Sequence, residues 1–322
     1  MSNEGAGQYS GQPGSAKPTK TWLRITGSVL AGGLLVYWLI KNWNEVVQAL
    51  QKVGWLGFCV VLGLVLVSRF CTVGRWHTLL HSAEVPISVR QSIELTFSGL
   101  FSANFLPTTV GGDLVRFAGG VRLGFDTVVI AASLVADRLI GMAGMATALP
   151  LGLYQVAHLP IAHTALSGLL AARVSDEKSP APLRRVVAWG KGKIKGLWDS
   201  LLQALRLWLT RPKSLLLAYA FTWGHMLSVF FAVWVMLQRM GEPIPLWLVA
   251  GCWAMSYFPT LIPISINGLG VQELTLTFFF VTYGGVSMPA ALAIASLMRL
   301  LPAIASLPGA FFVPGLLTAD KQ

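Results

Sequence analysis

The sequence is poor in charged residues, which make up only 11% of its 322 positions. Soluble domains carry about 25% charged residues. This shortage, together with 54% apolar residues and a mean hydropathy of +0.65, argues against an ordinary soluble enzyme. The apolar runs are continuous rather than alternating, which disfavours a membrane β-barrel. The composition therefore predicts an all-α, polytopic membrane protein.

Cysteine and metal-ligand motifs are also scarce. The three cysteines all lie in apolar stretches, which predicts small core residues rather than a disulfide framework. His77 and His81 are four residues apart and could share a helix face, but two histidines near a helix end are favoured over a metal site. No CxxC, HExxH or GxxxxGK[ST] pattern occurs. We therefore expect no metal, no cofactor and no catalytic residue.

The net charge of +11 would suggest nucleic acid in a soluble protein, but here the basic residues bracket apolar spans. Residues 173–213 hold ten basic and three acidic side chains, and the positive-inside rule predicts that this segment is cytoplasmic. Its apolar residues recur at helical spacing, which indicates a basic amphipathic helix, lying either on the bilayer surface or on the protein itself.

The chain divides into a polar tail, residues 1–20, and a single transmembrane domain, residues 21–318. We expect the tail to be disordered and cytoplasmic. The apolar runs predict about seven to eight spans, with a polar loop at 41–54. The predicted spans and shorter helices cover 22–40, 55–80, 90–103, 126–155, 157–172, 214–238, 246–262, 272–283 and 288–314.

Two helix-breaking segments interrupt the apolar pattern. The first, 104–113, contains Pro107, Gly111 and Gly112, and the second contains Pro263, Gly268 and Gly270. Irregular backbone at membrane depth is tolerated only where protein or a water-filled cavity covers it. Matching breaks in the two halves of a membrane protein point to a substrate site at the interface of a pseudo-repeat. We therefore predict two broken or re-entrant helix elements that meet.

Ionisable residues inside the apolar segments are the other anomaly, because charge at membrane depth is costly and is retained mostly for function. The apolar segments contain five arginines and three acids, which leaves two positive charges that an anion such as a lipid phosphate would compensate. The acids can alternatively be simple helix N-terminal caps, and the first two arginines can snorkel to headgroups. These residues are Arg69, Arg75, Arg116, Arg138, Arg299, Asp113, Asp137 and Glu273.

At these residues the chain resembles the transmembrane flippase-like domain of lysylphosphatidylglycerol synthases and the stand-alone relatives of that domain. The resemblance runs from about residue 22 to 315. It departs from the family at Asp137, where glutamate is usual. The matching elements are Arg75-Trp76, Asn104 with Pro107, Gly112-Asp113 with Arg116, Asp137-Arg138 with Gly141, Pro263 with Asn267, Gly268, Gly270 and Glu273, and Arg299.

The resemblance implies movement of an anionic phospholipid or a lipid-linked sugar between leaflets, and aminoacyltransferase activity is not expected. A membrane glycosyltransferase-like enzyme and a non-catalytic scaffold of an envelope-lipid pathway stay open as alternatives. The expected substrate-binding residues, all of which should line one polar cavity, are Asn104, Asp113, Arg116, Arg138, Asn267, Glu273 and Arg299.

The expected location is the cell membrane, with several crossings and with the N-terminus and residues 173–213 in the cytoplasm. The expected partners are membrane lipids, and nucleic acid is not one of them. A homo-oligomer and a partner protein from envelope-lipid biosynthesis stay open.

Overall fold

The computed structural model describes residues 33–106, 111–157, 208, 210–260 and 268–318. This part of the chain is helical and contains no β-strand, so the predicted all-α membrane fold is confirmed. A helical segment at 33–41 comes first. The helices that follow are α1 Trp43–Ser82, α2 Val89–Ser102, α3 Gly111–Arg122, α4 Thr127–Ala157, α5 Pro212–Met240, α6 Leu246–Thr260, α7 Val271–Thr282, α8 Met288–Ala305 and α9 Gly309–Thr318.

Four of these helices, α1, α4, α5 and α8, are long and apolar enough to cross a membrane. Helix α7 is apolar but shorter. The predicted span at 157–172, the tail at 1–20 and most of the basic segment at 173–213 lie outside the described residues. The described end of that segment packs on the protein: Trp208 is buried and donates a hydrogen bond from Nε1 to the carbonyl of Leu79 at 3.0 Å.

The core forms where α1 packs along α5, with α8 against α1 and α6 against α4. The largest apolar cluster joins side chains of α1, α5, α6, α7 and α8. Small residues allow close contact between helices α4 and α6, since a Cβ atom on Gly251 would lie only 2.5 Å from Gly152 Cα. Such close backbone approach is typical of helix packing in membranes, where small residues let van der Waals contacts form.

The polar loop predicted at 41–54 is wrong, because α1 already begins at Trp43. Val46, Ala49 and Val53 are buried, and their spacing is that of one face of a helix. A single positive φ of 66° at Gly54 then bends the helix. The segment is therefore a short amphipathic helix joined to a long span.

The first predicted break lies between α2 and α3. Ser88 begins α2 as a capping box: its side chain accepts a hydrogen bond from Gln91 N, and Gln91 Oε1 accepts one from Ser88 N. Helix α2 ends at Ser102, and α3, which begins at Gly111, packs back against it. A Cβ atom on Gly112 would lie 2.6 Å from the carbonyl oxygen of Gly99, so glycine is required for this contact.

The second predicted break lies between α6 and α7, which also pack against each other. Gly268 and Gly270, just before α7, have φ angles of 69° and 79°, a region that glycine adopts without a steric cost. Near the C-terminus, the span predicted at 288–314 is two helices, because the chain turns at 306–308 between α8 and α9. Pro107, Pro263 and Asn267 lie outside the described residues.

Candidate functional site

Five charged side chains from α1, α3 and α4 form a chain of alternating charges, which we call the ion-pair cluster. Arg75 Nε donates to Asp137 Oδ1 at 2.6 Å, and Arg116 Nη1 lies 3.2 Å from Asp137 Oδ2. The same Arg116 nitrogen lies 3.3 Å from Asp113 Oδ1. Arg138 Nε donates to the other oxygen of Asp113. Every carboxylate oxygen of the two aspartates therefore has an arginine partner.

The centre of the cluster is almost completely buried. Asp137 is 3% exposed and Arg116 is 6% exposed. Buried charges are costly unless they are paired and hydrogen-bonded, which explains why the aspartate bridges two arginines. The guanidinium of Arg116 also stacks over the Trp76 ring, with 4.1 Å from Cζ to the ring centroid. Its Nε and Nη2 atoms are buried without a hydrogen-bond partner among the described residues.

A cavity of about 240 Å³ adjoins the ion-pair cluster, and we call it the first cavity. Three arginines and two aspartates in its lining give it a net charge of +1. Its other lining residues come mainly from α1, α4, α5 and α6, and they are Thr72, Gly141, Met145, Thr222, His225, Met226 and Tyr257.

A second cavity, also of about 240 Å³, lies beside the first. His225 lines both cavities, and its Nδ1 atom is 2.7 Å from Ser68 Oγ. Two arginines, Arg69 from α1 and Arg299 from α8, supply the charge in its lining. The remaining lining residues are Val65, Ser68, Asn104, Val229, Trp253, Gln272, Met298 and Pro302.

The two helix breaks both contribute to the second cavity. Asn104 comes from the turn after α2, and its Nδ2 atom donates to Ser306 Oγ at 2.9 Å. Gln272 comes from the first turn of α7, and its Oε1 atom lies 3.5 Å from Arg299 Nη1. Side chains adjoining both breaks therefore lie around the same polar space, as expected for a pseudo-repeat interface.

Glu273 combines two roles at the N-terminus of α7. Its Oε2 atom accepts a hydrogen bond from Gly270 N at 2.8 Å, which is the helix-cap role considered from the sequence. Its Oε1 atom lies 3.5 Å from Arg299 Nε. Glu273 is 4% exposed and adjoins only a small void of about 10 Å³ beside the second cavity.

The structure thus distributes the sequence-predicted residues over two neighbouring cavities rather than one. Asp113, Arg116 and Arg138 line the first cavity, whereas Asn104 and Arg299 line the second. Glu273 contacts Arg299 and lines a small void next to the second cavity. Sequence reasoning had noticed the central Arg75 and Asp137 without assigning them to the binding site.

Two further residues of the cavities were missed. Arg69 was set aside as equally consistent with snorkelling, and His225 was not considered. A signal for His225 was present, because a histidine inside an apolar span is itself a functional candidate. Its position between the two cavities depends on the packing of α5 against α1, which the sequence does not reveal.

The fold and these cavities define a class: a helical membrane protein whose spanning helices enclose paired, arginine-lined cavities. Within that class, the chain belongs to the lysylphosphatidylglycerol synthase TM region family, whose model matches residues 24–309. The family suspected from the sequence motifs is therefore confirmed. Comparison with curated proteins and comparison with solved structures each give no match.

Proposed function

We propose that this protein is a flippase-type transporter that moves an anionic phospholipid or a lipid-linked sugar between the leaflets of the membrane. The observation that carries the proposal is the pair of polar cavities, each of about 240 Å³ and each lined by arginines, among helices long and apolar enough to span a bilayer. Aminoacyl transfer is not part of the proposal.

The charge balance of the cavities supports an anionic substrate. Five arginines against three acids leave two positive charges in and beside the two cavities. The planar guanidinium fork matches two oxygens of one phosphate, which lysine does not. Membrane lipids supply such phosphates at high local concentration.

The acids make release of that anion possible. A phosphate held by several desolvated arginines without a competing carboxylate would leave slowly, because charge-assisted hydrogen bonds are strong in a medium of low dielectric constant. In the first cavity Asp113 and Asp137 already engage the arginines, and beside the second cavity Glu273 engages Arg299. An arriving phosphate that binds Arg299 therefore competes with an existing carboxylate partner.

The broken helices support alternating access. Asn104 and Gln272 adjoin different breaks and line the same cavity. In transporters built from repeats, such breaks lie near the substrate site, and one half moves against the other. We propose a cell-membrane location with the N-terminus and residues 173–213 in the cytoplasm, on the basis of their basic residues.

The test is reconstitution of the full chain into vesicles that contain a fluorescent phosphatidylglycerol, with a quencher that reaches only the outer leaflet. We expect the protein to make inner-leaflet label accessible faster than in protein-free vesicles. We expect Arg116→Ala to stop this exchange, because that arginine joins both aspartates of the ion-pair cluster.

A labelled phosphatidylcholine serves as the comparison lipid, since its headgroup is zwitterionic. Exchange of the anionic lipid at the protein-free rate would contradict transport and favour the scaffold role. Equal acceleration of both lipids would contradict selection of an anion.

A further inference from the structure

Arg69 differs from the other arginines of the two cavities, because it has no carboxylate partner among the described residues. It lies on α1 in the lining of the second cavity, and no hydrogen bond or ion pair joins it to another described residue. Its Nε atom is buried and has no hydrogen-bond partner there. A buried polar atom without a partner is costly, and each such atom in a folded protein calls for an explanation.

The contrast with the ion-pair cluster is one of charge compensation. In that cluster all four aspartate oxygens are engaged by Arg75, Arg116 and Arg138. The side chain of Arg138 is also 47% exposed, so its charge is not enclosed by the cluster. Each arginine of the cluster thus has at least one carboxylate partner, although Nε and Nη2 of Arg116 have no hydrogen-bond partner among the described residues.

The second cavity differs in that one of its two arginines, Arg69, has no carboxylate partner among the described residues. Arg299, in contrast, lies 3.5 Å from Glu273 Oε1 and 3.5 Å from Gln272 Oε1. The other oxygen of Glu273 accepts a hydrogen bond from Gly270 N. Among the described residues Glu273 is thus paired with Arg299, and the two arginines with this one carboxylate leave a charge of +1 at the second cavity.

The size and polarity of the second cavity suit a phosphate group. Its volume of about 240 Å³ exceeds the roughly 150 Å³ of an apolar cavity that holds benzene. Neutral polar side chains, among them Ser68, Asn104 and His225, line the space between the charges. Such a lining favours a hydrated or polar occupant over an acyl chain.

We infer that the second cavity is the anion-binding site, with Arg69 and Arg299 as its charged ligands for a phosphate group. The ion-pair cluster instead holds α1, α3 and α4 together and does not bind the anion itself. This inference deepens the proposed function, on which it rests for the lipid nature of the ligand, by naming the cavity and one unassigned ligand. The phosphate can belong to a lipid headgroup or to free inorganic phosphate.

The test is a binding titration of the purified full chain in a non-ionic detergent. The probes are dihexanoylphosphatidylglycerol, dihexanoylphosphatidylcholine and inorganic phosphate. A charge-assisted hydrogen bond contributes about 1.5–3 kcal/mol, so Arg69→Gln should weaken binding of the phosphatidylglycerol by about 10- to 100-fold. Arg69→Lys should weaken binding of the phosphatidylglycerol less, because lysine keeps the positive charge and loses only the planar guanidinium group that binds two oxygens at once.

Arg90→Gln is the matched control, because Arg90 carries the same charge on α2 with a side chain 89% exposed, and it should bind like the wild type. Binding of the phosphatidylglycerol alone supports a lipid headgroup as ligand, and binding of inorganic phosphate as well supports a site that recognises the phosphate itself. In both cases the loss in Arg69→Gln must appear. If that variant fails to fold, Arg69→Lys and Arg299→Lys carry the test.

Unchanged affinity in a folded Arg69→Gln protein, or no anion binding by the wild type, overturns the inference. The two proposals fail separately. Binding that depends on Arg69 in a protein that moves no lipid refutes only the transport function. If the protein exchanges lipid but its affinity for the anion is unchanged in Arg69→Gln, only the assignment of this cavity is refuted.

Discussion

Replacing Asp137 by asparagine removes the charge that two buried arginines share. Asp137 accepts from Arg75 at 2.6 Å and lies 3.2 Å from Arg116. After Asp137→Asn, Arg116 keeps its contact with Asp113 at 3.3 Å. Arg75 then has only neutral acceptors, Thr222 Oγ1 at 3.4 Å and the amide oxygen of the new asparagine, and no opposite charge. The stranded charge is therefore that of Arg75, whose side chain is 11% exposed.

Removing one partner of a buried ion pair costs about 3–5 kcal/mol, because an uncompensated charge stays in a medium of low dielectric constant. We expect Asp137→Asn to lower the free energy of unfolding by that amount. The double variant Asp137→Asn with Arg75→Gln should recover part of the loss, since it also removes the stranded cation.

The assay is unfolding of the purified protein in mixed micelles, followed by circular dichroism as the denaturing detergent increases. Glu94→Gln is the control, because Glu94 pairs with Arg90 at the surface of α2, where such a pair contributes about 0.3–0.5 kcal/mol. If Asp137→Asn costs no more than Glu94→Gln, the ion-pair cluster does not stabilise the fold. A double variant no more stable than the single one would show that Arg75 is not the stranded charge.

Two further predictions concern helix packing and topology. Gly112→Ala places a Cβ atom 2.6 Å from the carbonyl oxygen of Gly99 and should destabilise the protein by about 1–3 kcal/mol in the same unfolding assay. Gly63→Ala is the control, because its Cβ atom meets no atom within 4 Å, and it should not destabilise the protein. Equal stability of the two variants would refute the close contact of α2 and α3. Lys191→Cys, in a background without the three native cysteines, should resist an impermeant thiol reagent applied to intact cells, because the basic segment is expected in the cytoplasm. Strong labelling would reverse the topology.

The boundaries of the helices next to the breaks were predicted correctly from the sequence, to within one residue. The helices predicted at 90–103 and 272–283 are α2, Val89–Ser102, and α7, Val271–Thr282. Glycines and prolines dictate where a helix stops through local backbone sterics, which do not depend on the rest of the fold. The helix at 43–53 was missed although its buried positions have helical spacing, because Lys52 and Glu45 made the segment read as a polar loop.

The division into two cavities could not be predicted. Which carboxylate pairs with which arginine depends on how α1, α3 and α4 pack, and helical spacing within one element leaves that open. The spacing of Asp113 and Arg116 did predict their contact, since residues three apart share a helix face. Arg69 and Arg75 are six residues apart on α1, yet one lines the second cavity and the other the first. Helical geometry already places the two on different sides of α1, and tertiary packing decides which cavity each of them lines.

The most direct test of the account compares lipid exchange by Arg299→Ala and Arg90→Ala in vesicles of matched protein density. Arg299 is a more direct test than the arginines of the ion-pair cluster, because it lines the second cavity with a side chain 34% exposed and Glu273 keeps its hydrogen bond from Gly270 N when Arg299 is removed. We predict exchange of labelled phosphatidylglycerol at the wild-type rate for Arg90→Ala and at the protein-free rate for Arg299→Ala. Equal rates for the two folded variants would contradict the claim that the arginine-lined cavities carry the lipid.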